Sequence, residues 1–210
     1  MSNRVSIIFL FTVFFVFETI NAQIIDIDEA YSLPQYIQNE RSENSFEIVA
    51  NGKSAKIYVD PDDWKGVIIA TNNLSNDIYK VSGTSSLVAA RTSFEKGSIL
   101  IGTIGKSRII DQLIAEKKID VSGIRGKWES FLIATVDGNL VVAGSDKRGT
   151  IFGIYDISEK IGVSPWYWWA DAPIRKNSKL YVKAGRYVQL SPKVKYRGIF
   201  INDEEPSFGG

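Results

Sequence analysis

Apolar and polar positions along the chain follow two spacings, and the change from one to the other falls where glycine, asparagine and proline gather. Phe46–Ala50 and residues 55–59 flank Asn51-Gly52, two residues that tolerate positive φ, which predicts a hairpin. Asp60-Pro61-Asp62-Asp63 then reads as a helix start, with a capping residue, proline at the first helical position and early acids. Trp64, Val67, Ile68, Thr71, Leu74 and Ile78 follow at helical spacing. Residues 86–90 read as a short strand. Ile99, Leu100 and Ile101 read as a better one, apolar on both faces as a buried strand is.

Gly102 and Gly105 turn the chain into a second helix, whose buried stripe is Ile109, Ile110, Leu113 and Ile114 and whose wet end is Glu116, Lys117 and Lys118. Residues 131–136 and 140–143 flank Asp137-Gly138, a second hairpin. A third helix, about 148–161, is expected to turn Ile151, Ile154, Tyr155 and Ile161 towards the sheet, with Gly149 and Gly153 permitting close approach. Alternating strands and helices predict an α/β sandwich that closes near Val188, with no internal repeat. Residues 23–45 are polar and weakly patterned.

The first residues carry a different pattern. One cationic side chain, Arg4, precedes an apolar run over residues 5–17, and Ile20-Asn21-Ala22 ends in a small residue. This predicts a signal peptide over 1–22, because the run is well short of the ~20 residues that span a bilayer. The expected location is therefore exported, periplasmic or extracellular, with no membrane anchor after cleavage. A net charge of +1 gives no bulk electrostatic reason to bind nucleic acid. The chain has no cysteine and no histidine. That excludes Ser-His-Asp and Cys-His chemistry within these residues and removes the usual zinc ligands, so carboxylates are the remaining acid-base candidates and no metal is expected.

Gly102-Thr103-Ile104-Gly105-Lys106-Ser107 ends like a phosphate-binding loop, but Leu100 stands where the first glycine of that loop belongs. A plain strand-to-helix turn accounts for it. Pro165-Trp166-Tyr167-Trp168-Trp169-Ala170-Asp171 places four aromatics in succession, which suit either interface packing or the flat face of a sugar. In Asp146-Lys147-Arg148-Gly149, Arg148 either recognises an anion at a helix start or is a solvated cation beside a cap by Ser145 or Asp146. Asn202-Asp203-Glu204-Glu205 follows a short apolar run and precedes Pro206, the pattern of a strand that delivers polar groups to a site at its carboxyl end.

Three blocks together, residues 145–156, 162–171 and 197–206, resemble glycoside hydrolase family 115, the xylan α-glucuronidases, and the likeness runs from about Phe46 to Gly210. The resemblance implies an N-terminal α/β sandwich domain packed on a (β/α)8 barrel, of which only the first strand, about 196–201, falls within these residues. The implied domains are a signal peptide at 1–22, a polar segment at 23–45, the α/β domain at 46–190 and the start of a truncated barrel at 191–210. The implied activity is removal of α-1,2-linked glucuronic acid or its 4-O-methyl ether from glucuronoxylan with inversion, without a cofactor, by a homodimer when full length. Carried onto this sequence, Asp203 and then Glu204 are the expected catalytic carboxylates. Asn202, Glu205, Arg148 and Trp168 are the expected substrate-binding residues. These residues read as an N-terminal fragment, inactive alone. The alternative reading is a non-catalytic carbohydrate-binding or interaction module.

Overall fold

The computed structural model describes residues 33–167 and 169–198. The signal peptide expected at 1–22 and residues 199–210 lie outside them, so the barrel strand expected at 196–201 is covered only at 196–198, which carry no strand. Two sheets make up the described chain. The larger has six strands: β4 (Ile57–Val59), β5 (Val88–Ala90), β6 (Ile99–Thr103), β7 (Phe131–Val136), β8 (Asn139–Gly144) and β10 (Arg186–Gln189), in the order β10-β7-β8-β6-β4-β5. Strands β5, β4, β6 and β8 run parallel, and β7 is antiparallel to both its neighbours. The smaller is antiparallel throughout and joins β1 (Ile37–Gln38), β9 (Leu180–Val182), β2 (Phe46–Ala50) and β3 (Lys53–Ser54) in that order.

Alternation along the large sheet's strands builds a core on each face. Ile57, Val59, Ile99, Ile101, Phe131, Ile133, Leu140 and Val142 point to one face. Helices α1 (Lys65–Ser82) and α3 (Lys147–Ile161) cover them through Val67, Leu74 and Ile78 and through Ile154, Ile157 and Ile161, and the small sheet joins the same core. The intervening Tyr58, Leu100, Leu132, Val141 and Ala143 point to the other face, where α2 (Arg108–Ala115) covers them with Ile109, Ile110 and Leu113. Strands apolar on both faces are what a sheet covered by helices on both sides requires. No helix among the described residues is long and apolar enough to cross a membrane.

Several expectations are corrected. Asn51 (φ 53) and Gly52 (φ 70) do make a tight turn, but the strand that returns from it is Lys53–Ser54. Residues 57–59 leave for the other sheet and pair in parallel with β5 and β6, because their fully buried apolar faces need cover on both sides. Asp60-Pro61 does not begin α1, which starts at Lys65 after Trp64 without a side-chain cap. Asp60 is instead fully buried and bound by Arg108. Tyr155 faces outward, its hydroxyl accepting from Asn73 Nδ2 at 2.8 Å, since the sheet-facing positions of α3 fall at Gly153, Ile154 and Ile157. Part of the polar 23–45 segment is structural: it supplies β1, and Tyr36 within it is fully buried.

The close approach expected of α3 is present. A Cβ on Gly149 would lie 2.2 Å from the Ser130 carbonyl oxygen, and one on Gly153 would lie 3.0 Å from Val142 Cγ1. Gly149→Ala therefore has to push α3 off the sheet and is expected to lower unfolding free energy by about 1–3 kcal/mol, the range for overpacking. Gly52→Ala, with open space around it, meets only the cost of its positive φ. Denaturant melts of both variants check this, and a Gly149→Ala no less stable than wild type contradicts the close contact.

Candidate functional site

In doubly wound sheets ligands gather beyond the carboxyl ends of the strands, where the connections diverge. Here β4 leads through α1 to β5, and β6 leads through α2 on the opposite face towards β8, so the divergence lies between the ends of β4 and β6. The chain fills that place itself. Asp60 accepts from the Arg108 backbone N–H at 2.7 Å, from Nε at 2.9 Å and from Nη2 at 2.8 Å. Its carboxylate thus occupies the start of α2, the position an exogenous anion would take. The Arg108 guanidinium holds the Asp60 carboxyl down, from 3.8 to about 2. Asp63 ties down the end of β6 by accepting from the Thr103 N–H at 2.8 Å. Residues 102–107 make the strand-to-helix turn expected of them.

Next to it, at the start of β7 and the end of β8, a second cluster forms around Glu129. Its side chain is 6% exposed and its backbone sits in the left-handed region at φ 53. Asp146 fixes that backbone: one carboxylate oxygen accepts from the Glu129 N–H at 2.9 Å while the other accepts from the Gly149 N–H at 2.7 Å and caps α3. Ser145 Oγ adds bonds to the N–H and carbonyl of Ser130, and Ser191 Oγ donates to the Trp128 carbonyl at 2.7 Å. Arg148 Nε then reaches Glu129 Oε1 at 2.9 Å, and Arg197 Nη2 binds Glu129 Oε2. The Arg197 guanidinium also lies over the Trp128 ring, 5.9 Å from its centroid.

The motif at residues 146–149 is thereby explained residue by residue. Asp146 caps, Gly149 allows contact with Ser130, and Arg148 pairs with Glu129 while staying 56% exposed. Both open readings of Arg148 miss this partner, since the ion pair joins residues from different elements. Glu129 and Arg197 were not singled out from sequence. Glu129 lies in a loop without periodicity, and 68 residues separate the pair.

Of the expected site residues, Arg148 alone is described; Trp168, Asn202, Asp203, Glu204 and Glu205 lie outside the described residues. Tyr167 and Trp169, which flank Trp168, follow the far end of α3, roughly 20 Å from Arg148 at ~1.5 Å rise per residue. Tyr167 and Trp169 therefore follow the end of α3 opposite to the one that carries Arg148. Arg197 stands five residues before Asn202 in sequence, and its bond to Glu129 ties down the segment that leads there.

The Asp60 pair generates a prediction in acid. Because its folded carboxyl titrates below the ordinary value, the stability it contributes is complete above pH ~4 and is lost as pH falls towards about 2. Arg108→Ala is expected to lower the melting temperature near neutral pH, because the buried Asp60 carboxylate loses its guanidinium donors, and to flatten the fall in melting temperature between pH 4 and 2. An acid profile parallel to that of wild type contradicts the assignment.

No family model matches the chain, and no curated protein does. Among solved structures, a family 115 4-O-methyl-α-glucuronidase with specificity for decorated arabinogalactans matches 76% of this chain at 38% identity with a TM-score of 0.66. The match covers 20% of that protein, so the chain spans about a fifth of its length. A chitobiase from Flavobacterium johnsoniae shares 11% identity over 79% of this chain and 21% of its own, with a TM-score of 0.46. A β-N-acetylhexosaminidase from Streptomyces coelicolor shares 13% over 74% and 25%, with a TM-score of 0.44. Over the stretch shared with the α-glucuronidase, in sequence and in fold, the chain is a relative of glycoside hydrolase family 115.

Proposed function

We propose that this chain is the N-terminal part of an exported, inverting α-glucuronidase that removes α-1,2-linked glucuronic acid or its 4-O-methyl ether from glucuronoxylan. The observation that carries the reading is the 38% identity to a 4-O-methyl-α-glucuronidase over 76% of the chain. The described α/β domain is then a support, and residues 191–210 open the (β/α)8 barrel of a longer, homodimeric product that needs no cofactor.

Inverting hydrolysis requires one carboxylic acid to protonate the leaving oxygen and one carboxylate to take a proton from water on the opposite face, about 6.5–9.5 Å apart. Asp203, with Glu204 next, fills one role; neighbours on one strand do not bracket a sugar, so the other comes from a later strand. Asn202 and Glu205 bind hydroxyls at the same strand end. Arg148, 56% exposed beside Glu129, is the group offered to a sugar carboxylate.

The full-length product is expected to release glucuronic acid from glucuronoxylan, and the 23–210 polypeptide none. Arabinogalactan is assayed alongside, because the solved relative acts on decorated arabinogalactans. Asp203→Asn is expected to lower turnover about 10²–10⁴-fold, the range for a positioned acid or base, with an unchanged melting temperature. Near-wild-type turnover in that variant moves the role to Glu204 or Glu205. A full-length product inactive on both polysaccharides leaves the non-catalytic carbohydrate-binding module.

A further inference from the structure

At the end of α3 remote from Arg148 the surface opens into a pocket of about 490 Å³, within the range of about 300–1,000 Å³ usual for small-molecule sites. Its lining holds three cations, Lys160, Arg175 and Lys176, and no carboxylate. Of the acids on the neighbouring turn of α3, Asp156 accepts from the Tyr36 hydroxyl at 2.6 Å and Glu159 is exposed; neither lines the pocket. Lys176 Nζ donates to the Lys80 carbonyl. The Arg175 guanidinium has no hydrogen-bond or ion-pair partner among the described residues, which leaves its planar fork open to a carboxylate.

Side-chain amides complete the wall. Gln35 Nε2 donates to the Lys160 carbonyl at 3.3 Å and Gln38 Nε2 to Ser42 Oγ, so the amide oxygens of both are left to accept, while the Asn177 amide in the same lining is engaged with Asn39 Oδ1 and the Lys179 N–H. Such groups suit hydroxyls rather than a bare anion. The pocket is held in shape by a close backbone approach: the Arg175 N–H donates to the Gly162 carbonyl at 3.1 Å, and a Cβ on Gly162 (φ 124) would lie 2.9 Å from the Arg175 carbonyl oxygen. That bond closes a loop carrying Trp166 and Trp169, which are 65% and 81% exposed. The two indoles do not line the pocket, but they are left in water on the loop that Arg175 closes and offer flat faces of the kind that stack on sugar rings.

We propose that this pocket binds an acidic oligosaccharide, with Arg175 and Lys160 on the carboxylate of a uronic acid, the glutamine amides on hydroxyls and the exposed Trp166 and Trp169 indoles available to adjoining rings of a longer chain. The choice of a uronate as the acid rests on the proposed function. The site holds substrate polysaccharide at the end of the domain opposite to Glu129.

Titration calorimetry on the purified chain tests it, using a glucuronic-acid-bearing xylo-oligosaccharide, the same oligosaccharide without the acid, and inorganic phosphate. The acidic sugar is expected to bind at least about tenfold more tightly than the neutral one, the factor set by a charge-assisted hydrogen bond, and to weaken as salt is raised. Arg175→Ala is expected to remove that difference without changing the melting temperature, because its side chain is exposed and its backbone bond is kept. Trp169→Ala is expected to weaken both sugars. Equal affinity for acidic and neutral sugars, or full affinity in Arg175→Ala, overturns the site, and competition by phosphate as strong as by the acidic sugar overturns the sugar class. Binding is read without hydrolysis, so an inactive enzyme and an empty pocket are separate results.

Discussion

A carboxylate taken out of water at Glu129 organises one whole end of the sheet. Burying it unpaired is costly, and its left-handed backbone adds roughly 1–3 kcal/mol of strain, so the chain has to surround it. Asp146 holds the backbone, Ser145 and Ser191 hold its neighbours, and two arginines from distant parts of the chain share the charge. The start of α3, the start of β7 and the segment after β10 meet at that one group. Gly149 belongs to the same arrangement, since a larger residue would strike Ser130 and move the helix that carries Asp146 and Arg148.

The neighbouring crevice shows the same logic used to opposite effect. A doubly wound sheet with helices on both faces offers an anion site at its divergence, and this chain plugs it with Asp60, held by three donors of Arg108. What is a cofactor site elsewhere is here internal scaffolding. The domain then presents cations outward at both ends of α3: Arg148 and Arg197 at one, Lys160, Arg175 and Lys176 at the other.

Local patterns in the sequence disclosed the large sheet and its helices. The Asp137-Gly138 turn, at φ 50 and 79, and the strand alternation of residues 131–144 are fully local signals, and both are present. The hairpin at Asn51-Gly52 was read with the wrong partner because its turn signal is local, whereas the choice of sheet for residues 57–59 depends on cover from α1, β5 and β6. Asp60-Pro61 looked like a helix start for the same reason: its true partner, Arg108, is 48 residues away. At the site, Arg148 and Asp146 were visible as a helix entry. Glu129 and Arg197 were not, because an ion pair between two loops leaves no period, spacing or turn residue to read.

The account stands on Glu129 joining the α/β domain to the segment that leads to Asn202–Glu205. A double-mutant cycle of Glu129→Gln and Arg197→Gln, read on both melting temperature and turnover of the full-length product, measures that joint directly. A direct pair is expected to give a coupling of about 1 kcal/mol or more in stability, with the double variant hardly less active than either single variant. Additive losses in both readouts would show that the two residues act independently and would contradict the account.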